Sequence, residues 1–488
     1  MLFSTIDFVI FFIFILSLLV LFKNRKLQHS LLLISSFFFF YYSNNYLILL
    51  LIFSIILDFY VGREIFMRKN LLHKKILLGI SLVGNLGLLG FFKYADFGIE
   101  QINIIGQSLG FSEIAYLNII LPIGISFYTF QTISYTIDIY RGRLEPSKSF
   151  KEFALFVSFF PQLVAGPILK AHEFLPQLRE KISEKTQGYT LKTIVLEKSN
   201  LKFGISLMAI GFFKKMFIAD NLRDLGNTIF SDPIGLDSLS IMWGALGFGI
   251  QIYCDFSGYS DIAIGAARIM GFKIPLNFNK PYFATSPSDF WSRWHISLST
   301  WLRDYLYIPL GGNKKSQKQT FVNLFTVMVI GGLWHGASWN FVIWGGIHGG
   351  LLVFQKLLQK IFPSLSENMF FKHKIGKLFL ILLTQYFIFL TWIAFRVENT
   401  EHLSYSIQKY IFIDIQIDQF LQTLNSNMIP SVMIILFLIL HIFSYKMGNL
   451  PSRVANLNYK LWILFLITIF TSIFLFYQGI IDFIYFRF

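Results

Sequence analysis

Two histidines stand where proton chemistry is possible. His335 lies in "GGLWHGASWNFVIWGGIHGG" (331–350), a stretch without one charged side chain, and His295 lies in "FWSRWHISL" (290–298). Apolar surroundings keep an imidazole neutral, because desolvation disfavours the cation, and a neutral ring can accept a proton at physiological pH. Such a base facing a cavity would activate an acceptor hydroxyl against an acyl donor. A hydrogen-bonded structural histidine is the plainer reading of His335. For His295 the plain reading is a packed interfacial ring, and the functional one is substrate positioning or a secondary acid–base role. Zinc is the weakest alternative. His335 and His348 stand thirteen residues apart, on nearly opposite sides of a regular helix, and no His-x-x-x-His pair occurs.

The surroundings of these residues define the class. The chain has 488 residues, 55% hydrophobic and only 14% charged, too little charge to cover a soluble protein of this size. Long apolar runs that do not alternate with polar residues exclude a barrel and predict an all-α polytopic membrane protein. The net charge of +15 collects in loops such as Lys69–Lys75, as expected of cytoplasmic loops rather than of a nucleic-acid surface. One cysteine, Cys254, excludes an intramolecular disulfide and a multi-cysteine metal site. Ile6–Phe22 reads as a retained span with the N-terminus outside, since its basic flank, Lys23–Lys26, follows it.

Elements follow from apolar length and breaks. Leu31–Tyr42 and Tyr46–Leu57 are each about twelve residues, short of the roughly twenty that cross a bilayer, and read as a shallow hairpin or a thinned region. Ile76–Phe92 and Ile119–Ile137 read as full spans. "FVSFFPQLVAGPILK" (156–170) is broken by Pro161 and Gly166-Pro167. The polar segment 170–202 reads as cytoplasmic. Further apolar segments bring the expectation to about nine to twelve spans, with residues 1–488 as a single membrane domain. Broken helices at membrane depth imply an internal cavity.

Ser286–Asn313 predicts an amphipathic helix. Ser286 caps it, Trp291, Trp294, Leu298, Trp301 and Tyr305 form its apolar face with His295 nearby, and Pro309 and Gly311-Gly312 end it. Four charges, Asp289, Arg293, Arg303 and Asp304, occupy the other side, so an interfacial position is expected. Glycines at 332/336, 345/349 and 346/350 predict close helix packing. A bend near them leaves His335 in the middle of the long apolar run Phe321–Phe354. Asp255 and Asp261 are carboxylates in an apolar span, expected to pair with Arg268 or another buried arginine.

Five stretches, in consistent order through nearly the whole chain, resemble the membrane-bound O-acyltransferase (MBOAT) family, most closely its bacterial alginate and polysaccharide O-acetyltransferase branch. They are "SFFPQLVAGPI" (158–168), "YCDFSGYSDIAIGAARIMGF" (253–272), "FNKPYFATSPSDFWSRWHISLSTWLRDYLYIPLGGN" (278–313), "GGLWHGASWNFVIWGGIHG" (331–349) and the ending "FIYFRF". The resemblance implies a ring of tilted and partial helices around a central tunnel. It also implies catalytic roles for His335, in the family's essential Trp-His-Gly context, and for His295, at its second and more variably required histidine. By the same resemblance the protein resides in a bacterial cytoplasmic membrane, binds no cofactor or metal, and takes acetyl from acetyl-CoA as a cytoplasmic donor. An exported SGNH-type partner or a glycan would receive the acyl group, and D-alanyl transfer to teichoic acid is the sibling reaction. Two other classes stay open: a transporter or channel for glycan or lipid precursors, and a scaffold for exported enzymes.

Overall fold

In this computed structural model the described residues are 1–22, 24–163, 166–182, 198–366 and 369–487, and among them there is no strand. Among the described residues six helical stretches are long and apolar enough to cross a membrane, with two shorter apolar helices, Ile6–Leu21 and Tyr459–Leu475. The first of these stretches, Lys26–Met67, holds two successive helices. The chain divides into two compact units: residues 1–208 with 260–275, and residues 209–259 with 276–488.

The first unit contains Ile6–Leu21 (α1), Arg25–Asn44 (α2), Ile48–Met67 (α3), Leu71–Ser108 (α4), Ile125–Tyr140 (α5), Phe150–Ser158 (α6), Phe160–Leu163 (α7) and Ala171–Ile182 (α8). Helices α2 and α3 are each 20 residues, so about 30 Å long and not the twelve-residue pieces expected. Polar residues that interrupt the apolar pattern are satisfied internally, which lets the helices continue. Gln28 donates to Leu19 O at 2.9 Å, and the buried Asp58 accepts from Ser81 at 2.6 Å and Asn85 at 2.9 Å. The expected span Ile119–Ile137 becomes helical only at Ile125. Gly124 turns the chain there at φ 86°, and a Cβ on it would stand 2.8 Å from Leu163 O. The expected break in 156–170 falls at Phe159, with Pro161 in the first turn of α7, where a missing N–H is harmless. Residues 183–197 of the polar segment 170–202 lie outside the described residues.

In the second unit the C-terminal end of Lys198–Phe212 (α9) passes through a π-helical turn, Phe213–Ala219, into Asp220–Ser231 (α10). Ser238–Ile269 (α11) supplies residues up to 259. There follow Pro287–Arg293 (α12), Ile296–Leu302 (α13), a second π turn at Arg303–Tyr307, Gln317–His335 (α14), Trp339–Ile361 (α15), Lys374–Arg396 (α16), Thr400–Ile411 (α17), Ile417–Ser426 (α18), Met428–Met447 (α19) and Tyr459–Leu475 (α20). A short turn, Ile484–Arg487, ends the described chain.

Two expected elements are each divided. The apolar run Phe321–Phe354 is α14 and α15, joined through Gly336–Ser338 and packed on each other. Glycine decides how closely: a Cβ on Gly332 would fall 2.1 Å from Phe341 O, and one on Gly345 would fall 2.4 Å from Met328 O. Gly350, in contrast, faces open space. The amphipathic helix of 286–307 is α12, α13 and a π turn, broken at Trp294–His295. Its two-sided character holds, with Trp294, Leu298, Trp301 and Tyr305 buried and Arg303 59% exposed. Ser286 caps it through the Asp289 N–H, and Gly311 and Gly312 leave it at positive φ.

Candidate active site

The break at His295 is imposed from outside the helix. Asn277 O accepts from Ile296 N–H at 2.9 Å, and Asn277 Oδ1 accepts from the Ser297 hydroxyl at 2.9 Å. Asn279 N–H donates to Arg293 O at 2.9 Å. Held this way, His295 takes φ 41°, ψ 54°, a left-handed conformation uncommon for a residue with a side chain. Its Nδ1 then accepts from Leu298 N–H at 3.4 Å and starts α13. With Nδ1 as acceptor, a neutral His295 carries its proton on Nε2.

His335 is the last residue of α14, so the turn into α15 begins at its own carbonyl. Its ring centroid lies 6.3 Å from that of His295, although forty positions separate them in sequence. Trp334, Trp344, Phe395 and Tyr485 complete the surroundings, at 5.1, 5.1, 5.6 and 5.4 Å between centroids. His335 is 3% exposed. Four aromatic side chains thus stand around the buried ring. Phe256 packs against both His295 and Tyr485, at 4.7 and 4.6 Å, and closes the cluster.

His348 has a different place. Trp291 Nε1–H donates to its Nδ1 at 3.3 Å, so its Nε2–H donates to Thr391 Oγ1 at 3.1 Å. Thr391 in turn donates to Ile388 O at 2.7 Å. Both nitrogens are committed, and the ring ties α12, α15 and α16 together as a structural histidine.

Asp255 pairs with a lysine and not with the arginine expected. Lys215 Nζ, in the first π turn, lies 2.8 Å from Asp255 and 2.8 Å from Asp220, with all three nearly inaccessible. The other Asp255 oxygen accepts from Ile484 N–H at 2.7 Å, and Lys215 reaches Asp482 O at 3.4 Å. One buried ion cluster thus fixes the C-terminal turn that carries Tyr485 against His335. The signal for Lys215 in the sequence is a lysine pair within the apolar "IGFFKKMFIAD" (210–220). Arg268 lies elsewhere, over the Phe203 ring at 5.9 Å.

A polytopic helical membrane protein with two buried histidines brought together from distant motifs is the class that fold and site define. The model of the MBOAT, membrane-bound O-acyltransferase family, matches residues 143–397, which include both histidines. The chain belongs to that family. It is 42% identical over 327 residues to the probable alginate O-acetylase AlgI of Azotobacter vinelandii, covering 66% of this chain and 60% of that protein. It is 35% identical over 408 residues to the peptidoglycan O-acetyltransferase of Helicobacter pylori, covering 77% and 74%. The teichoic acid D-alanyltransferase of Bacillus subtilis is 29% identical over 254 residues, covering 50% and 61%. The chain spans about three fifths of the length of the alginate proteins it matches.

Proposed function

We propose that the protein is a membrane O-acyltransferase that moves an acetyl group from cytoplasmic acetyl-CoA to hydroxyls of an exported or cell-wall polysaccharide, in a bacterial cytoplasmic membrane. The observation that carries this reading is the pairing of His295 and His335 at 6.3 Å inside a chain of the acyltransferase family. His335 takes the proton of the acceptor hydroxyl. The oxygen attacks the thioester carbonyl carbon, the carbon–sulfur bond breaks, and the thiolate leaves with the proton, giving an ester and free thiol. His295 positions the reacting groups, its ring held by its own cap to α13. Acetyl is favoured over D-alanyl because relatives at 35–42% identity are named O-acetylases or O-acetyltransferases, and the D-alanyltransferase stands at 29%. The glycan is acylated directly or through an exported SGNH-type partner.

Purified protein in nanodiscs, supplied with labelled acetyl-CoA and a glycan acceptor, is expected to form an alkali-labile acetyl ester. Glycan movement across proteoliposomes without any donor, and no ester with it, would favour a transporter and contradict the proposal.

A further inference from the structure

A polar cleft in the second unit runs between α10 and α11, with about 80 Å³ of room for water-sized groups. Asp220, Arg223 and Asn227 line one wall at helical spacing, and Phe248, Gln251 and Asp255 line the other. Arg396 and Glu398, at the end of α16, contribute to the rim. Ile484 of the C-terminal turn adjoins Tyr485 and so borders the cluster around His335.

The chemistry of the cleft selects its occupant. Lys215 is already matched by two carboxylates at 2.8 Å. Arg396 donates to Asn227 Oδ1 at 2.8 Å, whereas Arg223 Nε is buried with no hydrogen-bond partner. A buried donor left unmade is costly, so an acceptor atom belongs there. Four carboxylates, of Asp220, Asp255, Glu398 and Asp482, outnumber three cations, which disfavours a phosphate-bearing ligand. Sugar hydroxyls both donate and accept, and suit guanidinium, amide and carboxylate together.

The distribution of lysine gives the side from which it is reached. Lys314, Lys315 and Lys318 cluster at the start of α14, and Lys356, Lys360, Lys374 and Lys377 between the end of α15 and the start of α16. Between α16 and α19 the chain carries Glu398, Glu401, Asp414 and Asp418 against Lys409. Cytoplasmic segments hold the lysine excess, so the end of α16, with Arg396 and Glu398, faces outward. Asn340, just beyond His335, donates to Val397 O and ties the α14–α15 turn to that same end.

We infer that this cleft is a sugar site, entered from the outer face, in which Arg223, Asn227, Gln251 and Glu398 hold one ring of the acceptor glycan beside the His335 cluster. The inference rests on the acyltransferase reading for what happens to the bound sugar, and stands apart from it for binding itself.

The test uses the full chain in nanodiscs and an N-acetylglucosamine tetramer, with binding read by calorimetry. Wild type and His335→Ala are expected to bind alike, and Arg223→Gln and Asn227→Ala to bind at least tenfold more weakly. The same two variants should raise KM for the tetramer by more than they lower kcat. Arg223→Lys, which keeps the charge, checks folding by its melting temperature. Failure of wild type to bind the tetramer, or equal binding by folded Arg223→Gln, overturns the sugar site. Tetramer binding without any acyl transfer would refute the acyltransferase reading and leave the site standing.

Discussion

His295 unites two demands that separate substitutions can pull apart. Its backbone must be left-handed, and its Nδ1 must cap α13. Asparagine meets both demands, since it tolerates that conformation and caps helices well. His295→Asn is therefore expected to melt within about 1 kcal/mol of wild type while transfer falls, and His295→Ala to lose about 1–2 kcal/mol from the absent cap. Thermal melting in detergent, run beside the transfer assay, checks both. Asp255→Ala should cost about 3–5 kcal/mol, because it leaves Lys215 buried beside a single carboxylate and releases Ile484 N–H. Both histidines were legible as candidates from their apolar context. Lys215 and Tyr485 were not, because Lys215 meets Asp255 on another helix and Tyr485 meets His335 from a distant part of the chain.

The α14–α15 pair shows what a helix contact requires of its residues. Gly332→Ala and Gly345→Ala would each put a methyl group into backbone oxygen, and should destabilise by about 1–3 kcal/mol or more, whereas Gly350→Ala should be neutral. Comparative melting temperatures decide this. In the first unit, His172 Nδ1 lies 2.7 Å from Asp138 Oδ2 and joins α8 to α5. That contact holds the His172 pKa above its ordinary 6.5, against the opposing effect of burial. The contribution is complete below pH 6.5 and is lost as pH rises through the raised folded-state value. Melting temperature should fall across that interval, and His172→Gln should flatten the fall. Element type was readable from apolar length, but element ends were not. The break at His295 depends on Asn277, and the continuation of α3 depends on Ser81 and Asn85 meeting Asp58. No local pattern reports such partners.

At the scale of the whole chain, composition alone gave the helical membrane class, since a sequence this poor in charge and this rich in long apolar runs has no soluble alternative. The break in 156–170 was legible from Pro161, and residues 150–163 fold as the short buried helices α6 and α7. The family was legible through the order of motifs, and the structure adds that two of them meet at a pair of rings. Whether the His335 imidazole is the base is read from the initial rate of labelled acetyl transfer in nanodiscs for wild type and His335→Ala, with melting curves to confirm folding. A loss of about 10²–10⁴ in rate, with the fold intact, is the predicted result. A folded His335→Ala protein that transfers acetyl at the wild-type rate would contradict it.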